Sequence, residues 1–421
     1  MEALYARFDE RVGICSDSRA LASGQIFFAL KGERFNGHQF AVQALEQGAS
    51  AVVVEDVPDG LDVKDPRVFH VPSVLQALQD LARHHRRQWG KPIVGLTGSN
   101  GKTTVKELFA SVLGQAFHVH ATNGNYNNHL GVPFTLLQLK QEHEIAVVEM
   151  GANHQGEIDV LSRIAEPSLG YITNFGRAHL EGFGGVEGVI KGKTELYRYL
   201  QASGAEIMIN PDDALQVQHG GPDALPFSAG LNTWMEGDGF VHISDGTYSV
   251  KSHLSGSFQG TNLKAAWTLG LHLSMSPEAI CAGIQAYIPT NNRGELRQTD
   301  RNILFLDAYN ANPSSMEASF RYATTSHPQM VHHYIAGDLF ELGIYAEEEH
   351  QRMVDLFVAE GAENVWLVGE AFAATKHPAH YRAFKTTEEA LAALQIARLQ
   401  NSYVWIKGSR GMALERLLPA L

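Results

Sequence analysis

Cysteine is almost absent. Cys15 and Cys281 stand far apart in a chain of 421 residues. Such a pair excludes a disulfide framework, a Cys-rich zinc site and an iron–sulfur cluster. Positive charge is also in deficit: 33 Lys+Arg against 46 Asp+Glu leave −13 with His neutral. That balance argues against nonspecific binding to nucleic acid or anionic membranes, but allows an anionic substrate in a locally basic pocket. No apolar run approaches the ~20 residues of a membrane-spanning helix. The strongest runs, Ala51–Val54, Ile145–Val148 and Ile303–Leu306, are strand-sized. Met1–Val12 carries Glu2, Asp9 and Glu10 and lacks the apolar centre of a secretory signal. Repeat arrays and low-complexity tracts are missing too. A cytoplasmic globular protein is expected.

Hydrophobic residues make up 44% and charged residues 19%, enough for each of several domains to bury a core. Turn clusters divide the chain into 1–90, 91–297 and 298–421. The first block mixes short strands (Gln25–Leu30, Ala51–Glu55) with helix. Its helix Val74–Gln88 ends in Arg83-His84-His85-Arg86-Arg87, expected to be solvated, with its cations near the helix's own C-terminal dipole. Gly90-Lys91-Pro92 breaks the chain before a strand at Ile93–Leu96. From Lys102 the spacing of Val105, Leu108, Phe109, Val112 and Leu113 predicts a helix. Strands are expected at Ile145–Glu149 and Tyr171–Asn174, and a helix at Ile190–Tyr197. The third block repeats the rhythm: strands Ile303–Asp307, His333–Ala336, Val365–Val368 and Tyr403–Ile406, and helices Ser314–Thr324, Ala346–Glu360, Thr387–Leu399 and Met412–Leu418. This alternation predicts an α/β protein with mostly parallel sheets covered by helices. The third block has no Gly-x-Gly-x-x-Gly, so no dinucleotide site is expected there.

The most informative segment runs from Gly95 to Thr104, between a predicted strand and a predicted helix. That is the setting of a phosphate-binding loop. Glycines let successive N–H groups face phosphate oxygens, and the helix N-terminus adds a favourable field. Thr97, Gly98, Ser99, Asn100, Gly101, Lys102, Thr103 and Thr104 are therefore candidate nucleotide residues. Lys102 is expected at the β/γ-phosphates and Thr103 at Mg²⁺. Leu96 stands where the usual pattern has its first Gly, with Gly95 and Gly98 on either side. A carboxylate at a neighbouring strand end is needed for Mg²⁺, and Glu149 closes the run Ile145–Val148.

Further motifs narrow the reading. The loop, Asn123-Gly124-Asn125-Tyr126-Asn127-Asn128 with Gly131-Val132-Pro133, Glu149-Met150-Gly151 and Thr173-Asn174-Phe175-Gly176-Arg177-Ala178-His179-Leu180 together resemble the Mur ligases. These are ATP-dependent amide ligases of bacterial cell-wall precursor synthesis. Ser16-Asp17-Ser18-Arg19, Asp307–Pro313, Gly337–Gly343 and Lys407-Gly408-Ser409-Arg410 resemble the member that joins D-alanyl-D-alanine to UDP-N-acetylmuramoyl-tripeptide. The resemblance covers the whole chain. It implies a small α/β N-terminal domain for the UDP-substrate (1–90), a central P-loop parallel-sheet domain for ATP (91–297) and a Rossmann-like C-terminal α/β domain (298–421). The last would receive the dipeptide and close on ATP. Some positions depart from the pattern: Asn36-Gly37-His38 replaces Asp-Gly-His, Gly260-Thr261-Asn262 replaces Gly-x-His-Asn, and Asn291-Asn292-Arg293-Gly294 is a loose Gly-Arg turn.

An amide forms from a carboxylate and an amine only if hydroxide is replaced by a better leaving group. ATP supplies one as an acyl phosphate, and catalysis is then mostly positioning and charge neutralisation. The resemblance implies Lys102, Glu149, His179 and Lys193 as the catalytic set. Thr103 and Glu149 would hold one Mg²⁺, and His179 would help place a second or the acyl phosphate. A plain lysine would repel Mg²⁺. The matching lysine of the family reacts with CO₂, so Lys193 is expected as a carbamate, with Lys191 the alternative carrier. Asn262, Arg293 and Asp307 are implied at adenine, phosphate or ribose. Ser18, Arg19, Asn36, Gly37 and His38 are implied at the uridine diphosphate. Asn125 and Asn127, then Asn310, Asn312, Lys407, Ser409 and Arg410, are further implied substrate contacts. A monomer is expected. Rival readings are the third-residue-adding ligase, folylpolyglutamate synthase, a stand-alone P-loop ATPase and a silent UDP-sugar-binding protein. No Asp-Asn-Pro-Arg run, the mark of the first rival, occurs in the chain.

Overall fold

Short runs of β-branched and aromatic residues form the strands, and their burial pattern shows what each sheet packs against. The computed structural model describes residues 1–32, 35–237, 239–289 and 292–421, so Asn291 of the Gly-Arg-like turn lies outside the described residues. In the N-terminal domain Ile14–Cys15 (β1) and Ile26–Phe28 (β2) pair in parallel, and Lys31–Gly32 (β3) pairs antiparallel with Phe35–Asn36 (β4). Ala51–Val54 (β5) and Val68–His70 (β6) complete a parallel sheet of order β1-β2-β5-β6. Side chains alternate across it. Phe27, Val52 and Val54 join a small core with Ala41 and Ala44. Ile26, Phe28, Ala51 and Val53 face the helix Val74–Trp89 in a larger core that continues into the next domain.

That helix starts at Ser73, whose hydroxyl accepts from the Gln76 N–H, and ends at Gly90 with φ +70°. Its basic end is not simply solvated. Arg86 donates from Nε to Ala165 O and from Nη2 to Glu166 O, both at 3.0 Å. These carbonyls close the helix Glu157–Ala165, whose last turn leaves acceptors unpaired. Arg87 pairs with Glu166, and buried His85 meets Leu139 O at 2.8 Å. The cations thus clamp the first domain to the second.

The central sheet consists of Ile93–Thr97 (β7), Val119–Ala121 (β8), Ile145–Glu149 (β9), Leu169–Ile172 (β10), Glu206–Ile209 (β11) and Leu225–Pro226 (β12). All are parallel, in the order β12-β11-β10-β7-β9-β8. Every residue of β7, β9 and β10 is buried, as a sheet covered on both faces requires. The chain runs outward from β7 to one side, then returns past it to β10. The carboxyl ends of β7, β9 and β10 therefore open a crevice at the switch in direction. An antiparallel sheet follows: Asn232–Met235 (β13), Phe240–Ser244 (β14) and Ser249–Ser255 (β15).

The C-terminal domain comprises Glu295–Gln298 (β16), Asn302–Leu306 (β17), Val331–Gly337 (β18), Val365–Val368 (β19), Arg382–Phe384 (β20) and Ser402–Lys407 (β21). Its order is β16-β17-β21-β18-β19-β20, parallel except for the edge strand β16. The molecule is thus a three-domain α/β fold. Among the described residues no helix is long and apolar enough to cross a membrane.

Three local expectations need correction. The strand expected at Tyr171–Asn174 is Leu169–Ile172, because Thr173 and Asn174 leave the ladder to bond the loop after β7. The helix expected at Ile190–Tyr197 is two helices, Val186–Lys193 and Glu195–Ser203, joined at Thr194, whose hydroxyl turns back to Ile190 O and Lys191 O. Met412–Leu418 is not an α-helix. It is two 3₁₀ segments, Arg410–Met412 and Leu414–Ala420, separated by Ala413 at φ +49°; Pro419, inside the second, has no N–H to donate to an α-helical ladder.

Candidate active site

The strand β7 leads into the loop 98–101 and then into the helix Lys102–Leu113. Two positive-φ glycines shape the loop, Gly98 at +143° and Gly101 at +78°. Its other bonds hold it open as a cradle. Thr173 Oγ1 and Asn174 Nδ2 both donate to Asn100 O, at 2.6 and 3.0 Å. The Asn100 N–H donates to Asn174 Oδ1, and the Ser99 hydroxyl donates to Gly176 O. Lys102 Nζ donates to Gly98 O at 2.7 Å and Ser99 O at 3.2 Å. Burial pushes its amine below the ordinary value, opposed by Glu149 and reinforced by Arg293. Thr104 is buried in the first turn, and Thr97 is fully buried, its hydroxyl donating to Met150 O at 2.7 Å.

Glu149 ends β9 beside this loop and is 1% exposed. Its Oε1 accepts from Asn127 Nδ2 at 2.8 Å and Thr103 Oγ1 at 3.3 Å. Its Oε2 is buried without a hydrogen-bond partner. An unpaired carboxylate oxygen in the interior is costly, so the arrangement fits a cation. Asn127 thus acts as a brace for the carboxylate, held in turn by a bond from the Gly151 N–H to Asn127 O. Asn125 is exposed nearby on the cavity wall.

His179 follows β10 at φ +52° and pairs through Nδ1 with Glu341 of the C-terminal domain. This contact holds the Glu341 carboxyl below the usual range, against its partial burial. Lys193 is fully buried, with Nζ 3.3 Å from Ala152 O and 4.9 Å from the Phe183 ring centre. Burial, and then Lys102, push its amine far below the ordinary value, while Glu157 and Glu195 act the other way. Glu195 itself is occupied, accepting from the N–H groups of Gly156 and Asp159. Lys193 stands behind Ala152, which lines the cavity. Lys191 is exposed.

A cavity of about 1500 Å³ joins the central and C-terminal domains. Into it the fold brings the phosphate loop, Asn125, Asn127, Glu149, His179, Asn262, Arg293, Asp307, Asn310, Asn312 and Lys407. Asn262 Nδ2 donates to Gln259 Oε1 and lies against Gly101. The Arg293 guanidinium stacks on Tyr309, 3.5 Å from the ring centre. Lys407 is nearly buried and pairs with Asp307 Oδ2 at 2.5 Å. Asn312 caps the helix Pro313–Thr325, and its Nδ2 donates to Asn100 Oδ1 at 2.6 Å across the domain boundary. Ser409 is buried, accepting from the Phe340 N–H, while exposed Arg410 pairs with Glu415.

The N-terminal candidates lie apart from this cavity. Arg19 is exposed and doubly bonded to Asp17, and Ser18 beside it is buried. Asn36 Oδ1 accepts from the N–H and Nδ1 of buried His38, whose Nε2 accepts from the Glu55 N–H. A side chain at Gly37 would strike Leu30 O at 2.6 Å. From this domain the cavity is reached by Leu75 and Gln79 of the clamped helix. Sequence reasoning did not assign Thr173, Asn174 and Tyr309 to the site, although each lies inside a quoted motif.

Comparison with known proteins agrees across the chain. Family models described as "Mur ligase family, catalytic domain", "Mur ligase middle domain" and "Mur ligase, glutamate ligase domain" match residues 11–86, 96–270 and 292–410. The UDP-N-acetylmuramoyl-tripeptide--D-alanyl-D-alanine ligase of Bacillus subtilis is 33% identical, over 97% of this chain and 93% of its own. That of Escherichia coli is 34% identical over the same shares. Among solved structures, MurF from Acinetobacter baumannii superposes with a TM-score of 0.86 at 31% identity, over 96% of this chain and 92% of that one. The MurF ligase from Thermotoga maritima in complex with ADP gives 0.86 at 26% identity, over 100% and 98%.

Proposed function

The chain belongs to the Mur ligase family, and on that premise we propose that it joins D-alanyl-D-alanine to UDP-N-acetylmuramoyl-tripeptide at the expense of ATP, in peptidoglycan precursor synthesis. The observation that carries the reading within this molecule is the meeting of Asn100 and Asn312 in one large cavity. A phosphate loop and a second domain then face the same space, as a reaction of three substrates requires.

In this reading the central domain binds ATP, the N-terminal domain (1–90) the UDP moiety and the C-terminal domain the dipeptide; the boundary expected at 297/298 falls inside β16, which pairs with β17 and belongs to the C-terminal sheet. The loop N–H groups and Lys102 hold the triphosphate, Arg293 and Asp307 reach its far side, and Asn262 stands by the adenosine. The tripeptide carboxylate takes the γ-phosphoryl group, giving an acyl phosphate and ADP. The dipeptide amine then attacks the acyl carbon, and the tetrahedral adduct expels phosphate. Asn310, Asn312, Lys407, Ser409 and Arg410 position the amine donor, and domain docking keeps water from the acyl phosphate. Arg19 would leave Asp17 for the diphosphate, with Ser18 and the Asn36–His38 turn shaping that pocket.

Thr103 and Glu149 would hold one Mg²⁺, consistent with the unpaired Glu149 Oε2. Among the described residues no three His, Cys, Asp or Glu side chains cluster as a metal cage. Mg²⁺ fits such a sparse site because it accepts one or two carboxylates plus phosphate oxygens and water. When bound, it neutralises developing phosphate charge. His179 and a carbamylated Lys193 would be the residues to hold a second Mg²⁺. The depressed Lys193 amine favours the neutral form that reacts with CO₂, so the carbamate belongs to this reading. Dependence on ATP places the reaction in the cytoplasm, and one copy of the chain holds every group assigned here.

The test is phosphate release from ATP with the UDP-tripeptide and the dipeptide, added separately and together. Release only with both, and a product heavier by one dipeptide less water, is expected. Equal release without either substrate would establish a stand-alone ATPase instead.

A further inference from the structure

The loop that carries His179 is gripped from outside its own domain, and Arg177 is the point of grip. Its backbone N–H donates to Ser314 Oγ at 2.8 Å, and its Nη2 lies 2.9 Å from Glu349 Oε1. Ser314 and Glu349 occupy the first turns of two C-terminal helices, Pro313–Thr325 and Ala346–Ala359. Glu349 is 1% exposed. Its other oxygen accepts from Arg352 Nε at 2.9 Å, and Arg352 also bonds Glu317 at 2.9 Å. Arg177 is therefore the central domain's member of a charge network otherwise built within the C-terminal domain. A carboxylate this deeply buried is strongly destabilising when one of its partners is removed.

The neighbours of Arg177 tie the grip to the site. Gly176 has no room for a side chain, since a Cβ there would lie 2.8 Å from Asn100 Nδ2 and 3.2 Å from Ser314 Cβ. Two residues beyond Arg177, His179 meets Glu341. The same short loop thus touches the phosphate loop on one side and the C-terminal domain on the other. Arg177 does not line the cavity itself.

We propose that Arg177 is a positioning residue whose pairing with Glu349 makes the placement of His179 and the phosphate loop depend on docking of the C-terminal domain. The ATP site is then complete only when the domain that receives the amine is in place. An acyl phosphate forms in a closed cleft rather than facing water. This inference rests on the reading of the cavity as the ATP site.

The test uses the full chain with Arg177→Ala, Arg177→Lys, Glu349→Gln and the double variant Arg177→Ala/Glu349→Gln. Thermal melting checks folding, and Glu349→Gln, which preserves shape, covers the case in which Arg177→Ala fails to fold. Steady-state kinetics and small-angle scattering then read the effect. Arg177→Ala is expected to lower kcat about tenfold or more, with KM for the UDP-substrate within about twofold. Arg177→Lys restores part of the loss, the double variant is no worse than the poorer single variant, and the scattering radius increases. Wild-type kcat in folded Arg177→Ala, or losses that multiply in the double variant, would overturn the proposal. If the parent chain turns over no ATP with both substrates, the functional reading fails by itself. The scattering arm still decides the latch: an expanded Arg177→Ala profile supports it, and one superimposable on the parent overturns it.

Discussion

Replacing Gly98 by alanine tests the central geometric claim, that the phosphate loop is shaped by backbone few residues can adopt. Gly98 sits at φ +143°, and a Cβ there would lie 1.9 Å from Thr173 Oγ1, 2.9 Å from Thr173 N and 3.0 Å from Thr173 Cβ. Holding a non-glycine residue in that region costs about 1–3 kcal/mol. Turning Thr173 aside forfeits its 2.6 Å bond to Asn100 O, a net loss of about 0.5–1.5 kcal/mol. The sum is about 1.5–4.5 kcal/mol, which lowers the melting temperature of the first two domains, melting as one unit, by about 2–7 °C. The loop would relieve the strain by moving, so ADP affinity, read by isothermal calorimetry, should weaken by about tenfold or more. Adding Thr173→Ala removes the closest contact but leaves Thr173 N, so rescue is partial. Unchanged melting and unchanged ADP affinity in Gly98→Ala would refute the reasoning.

Other perturbations separate charge, protonation and docking. Glu149→Gln keeps acceptors for Asn127 and Thr103 but removes a buried negative charge. The ligase rate should fall about a hundredfold or more while the melting temperature holds or rises, measured alongside Mn²⁺ binding by paramagnetic resonance. Burial, helped by His143, pushes His120 down to about 4. The folded ring stays neutral where the unfolded one binds a proton, so this stability is complete above about pH 6.5 and is lost as pH falls toward 4. Denaturant titrations at pH 7 and 5 should differ by about 2 kcal/mol from this group, and His120→Gln should flatten that slope. Arg86→Ala removes two bonds to helix-end carbonyls and should cost about 2–4 kcal/mol in urea unfolding.

Legibility in the sequence followed the range of the forces involved. Ile145–Glu149 and Val365–Val368 emerge at their expected bounds, because continuous apolar runs flanked by polar residues need a buried parallel sheet. The phosphate loop was equally plain, since its glycines and Lys102 are neighbours in the chain. Strand β10 shifted by two residues because Thr173 and Asn174 bond a loop more than seventy positions earlier, which no local pattern reveals. Asn127 carries no mark of its partner Glu149 in its own surroundings. The sheet β13–β15 escaped notice because Asn232–Met235 is short and largely exposed, and Ser249–Ser255 carries only Val250 and Leu254 as apolar residues. The basic run ending the helix Val74–Trp89 looked solvated because its acceptors, Ala165 O and Glu166 O, exist only once another helix has ended beside it.

That helix has a consequence for how the molecule comes apart. Leu78, Leu81 and Ala82 share one continuous core with Ile26, Phe28, Ala51 and Val53 on one side and with Val132, Leu136, Ile158 and Leu161 on the other. The N-terminal sheet therefore covers the helix from one side and the central-domain helices Gly131–Leu136 and Glu157–Ala165 from the other, and neither cover can melt without exposing what the other buries. On heating, the first two domains should disappear in a single calorimetric transition. A fragment cut in the linker after the helix would carry a raw apolar flank, and would be recovered from cells as aggregate rather than as a small folded domain.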